Sequence, residues 1–202
     1  MDFKETQLNF LSEDCMKQFG GEKGEEIYRR TVGIYDSLCE KADFRNDKAI
    51  EAHMRENLFP TMAYYKALLA FGYSKDAAIE LVKIETAKSA EVKKAKQQKI
   101  AKLPCAYFLY KTCVKSAIKK NYPPCGWDTE WVMRNKKIIH FNFTRCLYKD
   151  ACDEQGCPEL CPVFCANDDI AFSGLMPKIR FERSCTLGKG DGCCDFHFIK
   201  NK

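Results

Sequence analysis

No apolar run in this chain approaches the roughly 18–20 residues that a membrane-spanning helix needs. The first residues, MDFKETQLNFLSED, carry acidic side chains and no apolar signal core. Together these absences predict a cytoplasmic protein without a membrane partner. Internal repeats and low-complexity linkers are also missing. Histidine is scarce, and His53, His140 and His197 stand far apart, as surface or core histidines do. No CxxC pair occurs, and the spacings Cys-x5-Cys-x4-Cys-x3-Cys-x3-Cys from Cys146 to Cys165 match neither zinc modules nor ferredoxins. The expectation is therefore no cofactor, with a zinc site assembled in three dimensions as the alternative.

A phosphate-binding loop is excluded as well. TLGKGDGCCDFHF, residues 186–198, has glycines at every second position but is followed by a strand-like alternation instead of a helix. Gly188, Gly190 and Gly192 are better read as positive-φ residues of a hairpin turn. A nucleic-acid surface is not supported either. Lys83, Lys88, Lys93, Lys94, Lys96, Lys99 and Lys102 gather in one segment, but Glu80, Glu85 and Glu91 interrupt them without any aromatic platform. A solvated helix face follows.

Cysteine, in contrast, is abundant: 13 in 202 residues. In a reducing compartment an odd number of cysteines supplies packing, metal ligands or chemistry rather than a disulfide framework.

The first part reads as helical. GEEIYRRTVGIYDSLCEKA repeats Ile27, Thr31–Val32, Tyr35 and Leu38 at helical spacing. In ENLFPTMAYYKALLAFG, Pro60 suits a first turn and Gly72 a stop, with Met62, Tyr65, Leu68 and Leu69 as an apolar stripe. Ser74 can cap the next helix, which turns Ala78, Leu81 and Val82 inward. CAYFLYKTCVKSAIKK follows, with Cys105 and Cys113 expected to pack. Beyond Pro123–Pro124 the period becomes two. KKIIHFNFTRC places Ile139, Phe141 and Phe143 on one face, TEWVMRNKK is its hairpin partner turning near Asn135, and KIRFERSCT and CCDFHFIK form a second pair. The expectation is one α+β domain over residues 1–202, helical over 1–122 and sheet-bearing over 123–202.

Chemistry concentrates in that second part. In CLYKDACDEQGCPELCPVFCANDD, Gly156 ends one short helix and Pro158 opens another, along which Cys157, Cys161 and Cys165 recur every four residues. Cys165 is one turn from Asp168 and Asp169. Negative neighbours disfavour a thiolate, so carboxylates there suit a base role toward water or substrate.

GCPELCPVFCANDD and FERSCTLGKGDGCCDFHF together resemble the L-2-amino-thiazoline-4-carboxylic acid hydrolase family, and NLFPTMAYYKALLAFGYSKDAAIELV is similar to its helical segment. The resemblance runs from about Asn57 to Lys200. It implies a hydrolase that opens a small cyclic amidine ring, giving an N-carbamoyl-cysteine type of product. It also implies site residues: Cys165 or Cys194 as nucleophile, Asp168 or Asp195 to orient the amidine and move protons, and Arg183, with Glu159, to bind substrate. Strand alternation puts Cys194 and Asp195 on opposite faces unless a bulge at Cys193–Cys194 intervenes. Ser184–Cys185 and the doubled Cys193 depart from the family pattern. The alternative reading is a non-catalytic sensor domain of the 4-vinyl-reductase kind, binding a small molecule or metal.

Overall fold

The computed structural model describes residues 2–201. The fold is α+β: helices dominate the first part, and a small antiparallel sheet follows. The chain divides into two compact units, residues 1–89 and 90–202. That division falls inside the lysine-rich helix, whereas the change from helix to strand falls after residue 121.

In the first unit, α1 (Leu11–Phe19), α2 (Gly21–Lys41), α3 (Lys48–Ala52) and α4 (Phe59–Ala70) precede α5 (Lys75–Ala101), which continues into the second unit. α1 and α2 approach closely at Gly24, where a Cβ would collide with the Cys15 carbonyl. α4 is less one-sided than its stripe implies. Phe59 to Tyr65, Ala67 and Leu68 are all buried, as befits a segment whose only charge is Lys66. Gly72 stops the helix with φ +84°, and Ser74 Oγ accepts from Ala77 N at 3.2 Å to start α5.

In the second unit, α6 (Ala106–Asn121) leads into β1 (Trp127–Arg134) and β2 (Ile138–Cys146). Asn135 makes the turn, its Oδ1 accepting from Lys137 N and Ile138 N. Cys105 and Cys113 do not pack; both are exposed, because α6 buries Ala106, Tyr107 and Val114 instead. Then follow α7 (Leu147–Glu154), a 3-10 turn (Pro158–Leu160), α8 (Cys161–Ser173), β3 (Ile179–Glu182) and β4 (Cys194–Lys200).

The sheet order is β1-β2-β4-β3, antiparallel throughout. Phe143 pairs with Cys194, Phe141 with Phe196 and Ile139 with Phe198. These side chains form a buried face, joined by Phe181 and by Phe172 of α8. The alternate positions, Asn142–Asp195 and His140–His197, occupy the opposite face. His140 and His197, distant in sequence, stack there with ring centroids 3.9 Å apart.

Candidate active site

The chain from β3 back to β4 folds into a loop that caps its own backbone. Asp195 Oδ1 accepts from Ser184 N at 2.9 Å and Cys185 N at 2.7 Å, while Oδ2 accepts from Ser184 Oγ at 2.6 Å. His197 Nε2 lies 3.2 Å from the same Oδ2. Burial pushes Asp195 up, but this set of donors outweighs it and holds the carboxyl far below the usual carboxylate range. Within the loop, Asp191 Oδ2 accepts from Thr186 N at 2.7 Å. The Thr186 carbonyl accepts from Lys189 N and Asp191 N.

Only Gly190 of the three loop glycines takes a positive φ, +90°; Gly188 and Gly192 do not. Gly188 is small for another reason. A Cβ there would lie 3.0 Å from Cys161 Sγ and 3.1 Å from Cys165 Sγ. The loop thus rests directly on two thiols of α8. Its neighbour Leu187 donates its N–H to Cys194 Sγ at 3.2 Å. At the foot of the loop, Cys185 and Cys193 bring their sulfurs to 3.6 Å.

α8 supplies the other wall. Cys161 and Cys165, one turn apart, face the loop and the sheet. Cys161 and Cys165 bring their sulfurs together beneath Gly188, and the neighbouring Cys161 and Cys194 thiols favour Cys165 as the thiolate. Burial opposes that charge, while the Arg183 guanidinium supports it. The Cys194 and Cys161 thiols are pushed up and stay protonated. Cys152 extends the chain of thiols toward Cys157 and Cys161.

Arg183 is buried, with 4% of its side chain accessible. Nη2 donates to the Cys165 carbonyl at 2.7 Å and to Asp169 Oδ1 at 3.0 Å. Nη1 reaches Asp168 Oδ2 at 3.4 Å, and the guanidinium sits 5.2 Å from the Phe196 ring centroid. Burial pushes Asp168 above the usual carboxylate range, to about 6, against the pull of Arg183. Because 43% of its side chain remains accessible, that desolvation is partial and the carboxyl can meet solvent. Its electrostatic neighbours include the phenols of Tyr110, Tyr122 and Tyr148.

The structure therefore gathers Cys165, Cys194, Asp168 and Arg183. Asp195 stands apart. The β2–β4 register runs from Ile138–Ile199 to Phe143–Cys194 without a shift, so there is no bulge to bring its side chain across. Glu159 lies on the 3-10 turn before α8 and is half-buried. An open groove beside β3 is lined by Asp169, Arg183, Ser184, Asp195 and His197, among others, and does not reach Cys165. Among the described residues, no group of three or more His, Cys, Asp or Glu is placed to hold a metal ion.

Sequence reasoning missed Cys161 as a site thiol beside Cys165 and the loop residues Thr186 to Gly188. The four-residue spacing of Cys161 and Cys165 was a signal for the first. Nothing local marks Gly188, whose role depends on what packs above it.

An α+β fold with a buried cysteine cluster, anchored by arginine and aspartate at one end of a sheet, defines the class. Residues 51–198 match the L-2-amino-thiazoline-4-carboxylic acid hydrolase family, and the chain belongs to it. No curated protein and no solved structure matches the chain.

Proposed function

We propose that this protein is a hydrolase that opens a small cyclic amidine of the 2-amino-thiazoline-4-carboxylate type, with Cys165 as nucleophile. The observation that carries this reading is the gathering of Cys161 and Cys165 under the Leu187–Gly188 turn that also holds Cys194 Sγ, with buried Arg183 fastened to the Cys165 carbonyl and to Asp168. Family membership supports the hydrolytic class.

The Cys165 thiolate adds to the carbon between the ring sulfur and the two nitrogens. The electron pair of the ring C–S bond leaves on that sulfur, which takes up a proton; the protonated thiols of Cys161 and Cys194 stand next to Cys165. The substrate is now held as an open isothiourea on Cys165. Water adds to the same carbon, the Cys165 thiolate departs, and a carbamoyl group remains. The product differs from the substrate by one water.

Asp168 accepts the N–H groups of the amidine and, titrating near 6, exchanges protons with the attacking water. Arg183 already has its fork on Asp168, Asp169 and the Cys165 carbonyl. It serves the substrate end by holding Asp168 and by its charge. Asp195 positions the loop.

The test is turnover of 2-amino-thiazoline-4-carboxylate by purified protein, with the carbamoyl product identified by mass spectrometry and metal content read on the same sample. Turnover lost in a folded Cys165→Ser variant supports the reading. Turnover retained in that variant, or absent from folded wild type, counts against it.

A further inference from the structure

Thr186 carries a hydroxyl that its own fold leaves unused. The residue is 4% exposed. Its N–H is taken by Asp191 and its carbonyl by Lys189 and Asp191. Oγ1 alone completes no hydrogen bond. An unpaired buried hydroxyl is costly, and buried polar groups are nearly always satisfied.

The surroundings say what the hydroxyl is near. The two residues after Thr186 lie on the thiol cluster, Leu187 through its N–H on Cys194 Sγ at 3.2 Å. Gly188 follows, with its missing Cβ 3.0–3.1 Å from the sulfurs of Cys161 and Cys165. The Thr186 side chain is itself close enough to Cys165 to favour the thiolate. In the resting site Oγ1 still completes no hydrogen bond. A donor left unsaturated beside a nucleophile is available to whatever atom arrives there.

We propose that Thr186 Oγ is a catalytic hydrogen-bond donor: its hydroxyl dipole favours the Cys165 thiolate in the resting site and, during ring opening, its O–H donates to the ring sulfur that departs from the attacked carbon. This deepens the hydrolase reading and rests on it for the reaction. As the C–S bond breaks, the ring sulfur gains the bonding electron pair, and a preplaced O–H stabilises that charge without reorganising. Thr186 keeps its own proton; the proton that neutralises the leaving sulfur comes from a neighbouring thiol. No ordinary packing role requires the hydroxyl, since valine has the same shape.

Thr186→Val and Thr186→Ser separate hydroxyl from shape. The pH profile of Cys165 alkylation by iodoacetamide, followed on the Cys165 peptide, reads the sulfur whether or not the substrate is right. The proposal expects T186V to move the alkylation midpoint upward by at least about half a pH unit, with T186S restoring it. With substrate, kcat of T186V should fall at least tenfold while KM changes little, again rescued by serine. A wild type without turnover would sink the hydrolase reading but leave the alkylation arm decisive. A folded T186V with the wild-type alkylation profile, or equal shifts in the valine and serine variants, would overturn the role of Thr186. Should T186V not fold, T186A takes its place.

Discussion

Arg183 Nη2 donates to the carbonyl oxygen of Cys165 at 2.7 Å, so the cation that supports the thiolate is fastened to that residue's own backbone. The position of the charge is set by β3, which delivers Arg183 immediately after Glu182, and by the Phe181 and Phe196 rings beneath it. Arg183→Ala should raise the pH at which Cys165 alkylates. It should also destabilise the fold by about 2–3 kcal/mol, the usual cost of stranding partners of a charged hydrogen bond. Arg183→Lys should recover little of either, because one ammonium cannot reproduce the fork. Denaturant unfolding and peptide-resolved alkylation read the two effects.

Asp168 gives the site a pH signature. Its folded value, about 6, is raised above an ordinary aspartate. The native state therefore holds this proton where the unfolded chain has lost it, and stability from this group falls as pH rises from about 4 to about 6. An amidine-binding carboxylate must be ionised, so activity should rise through pH 6. Asp168→Asn should abolish that inflection and lower kcat/KM by at least tenfold. A pH–rate profile of both proteins checks it.

The opposite sign holds for Asp195, whose value is depressed by donors from Ser184 and Cys185. Its stabilisation is present above an ordinary aspartate value and is lost as pH falls through the depressed one. Asp195→Ala should cost about 2–3 kcal/mol at neutral pH, since two buried-side N–H donors and the Ser184 hydroxyl lose their acceptor. The difference between variant and wild type should shrink in acid. Chemical denaturation at pH 7 and pH 3 measures it.

Gly188→Ala is a steric test of the loop on the thiols. The added methyl would stand 3.0 and 3.1 Å from Cys161 Sγ and Cys165 Sγ, so loop or sulfurs must shift. The expected cost is about 1–3 kcal/mol, with slower turnover. Gly192→Ala, where a Cβ meets nothing within 4 Å, is the matched control and should be close to neutral.

Much of the fold was legible because its signals are local. Asn135 turns the first hairpin, Gly72 and Ser74 punctuate the α4–α5 junction, and alternation in KKIIHFNFTRC and CCDFHF already separates the phenylalanines from His140, Asn142, Asp195 and His197. The exposure of Cys105 and Cys113 was not legible, since a thiol's burial depends on which face of α6 finds a partner. In the site, Cys165 and Asp168 are visible as neighbours one helical turn apart. The distances of Cys194 and Arg183 from that turn are tertiary facts. The division between Cys194, inside with the thiols, and Asp195, outside clamping Ser184, follows from strand alternation once the register shows no bulge. The stacking of His140 on His197 joins residues on strands separated by α7, α8 and β3, which no sequence spacing expresses.

The most direct test of the Cys165 nucleophile is an acid quench of wild-type protein during a single turnover of 2-amino-thiazoline-4-carboxylate, followed by peptide mass spectrometry. The mechanism predicts the whole substrate mass added to the Cys165 peptide, appearing before the carbamoyl product and absent from Cys165→Ser. Product formation with no adduct on Cys165, and with Cys165→Ser still turning over, would contradict it.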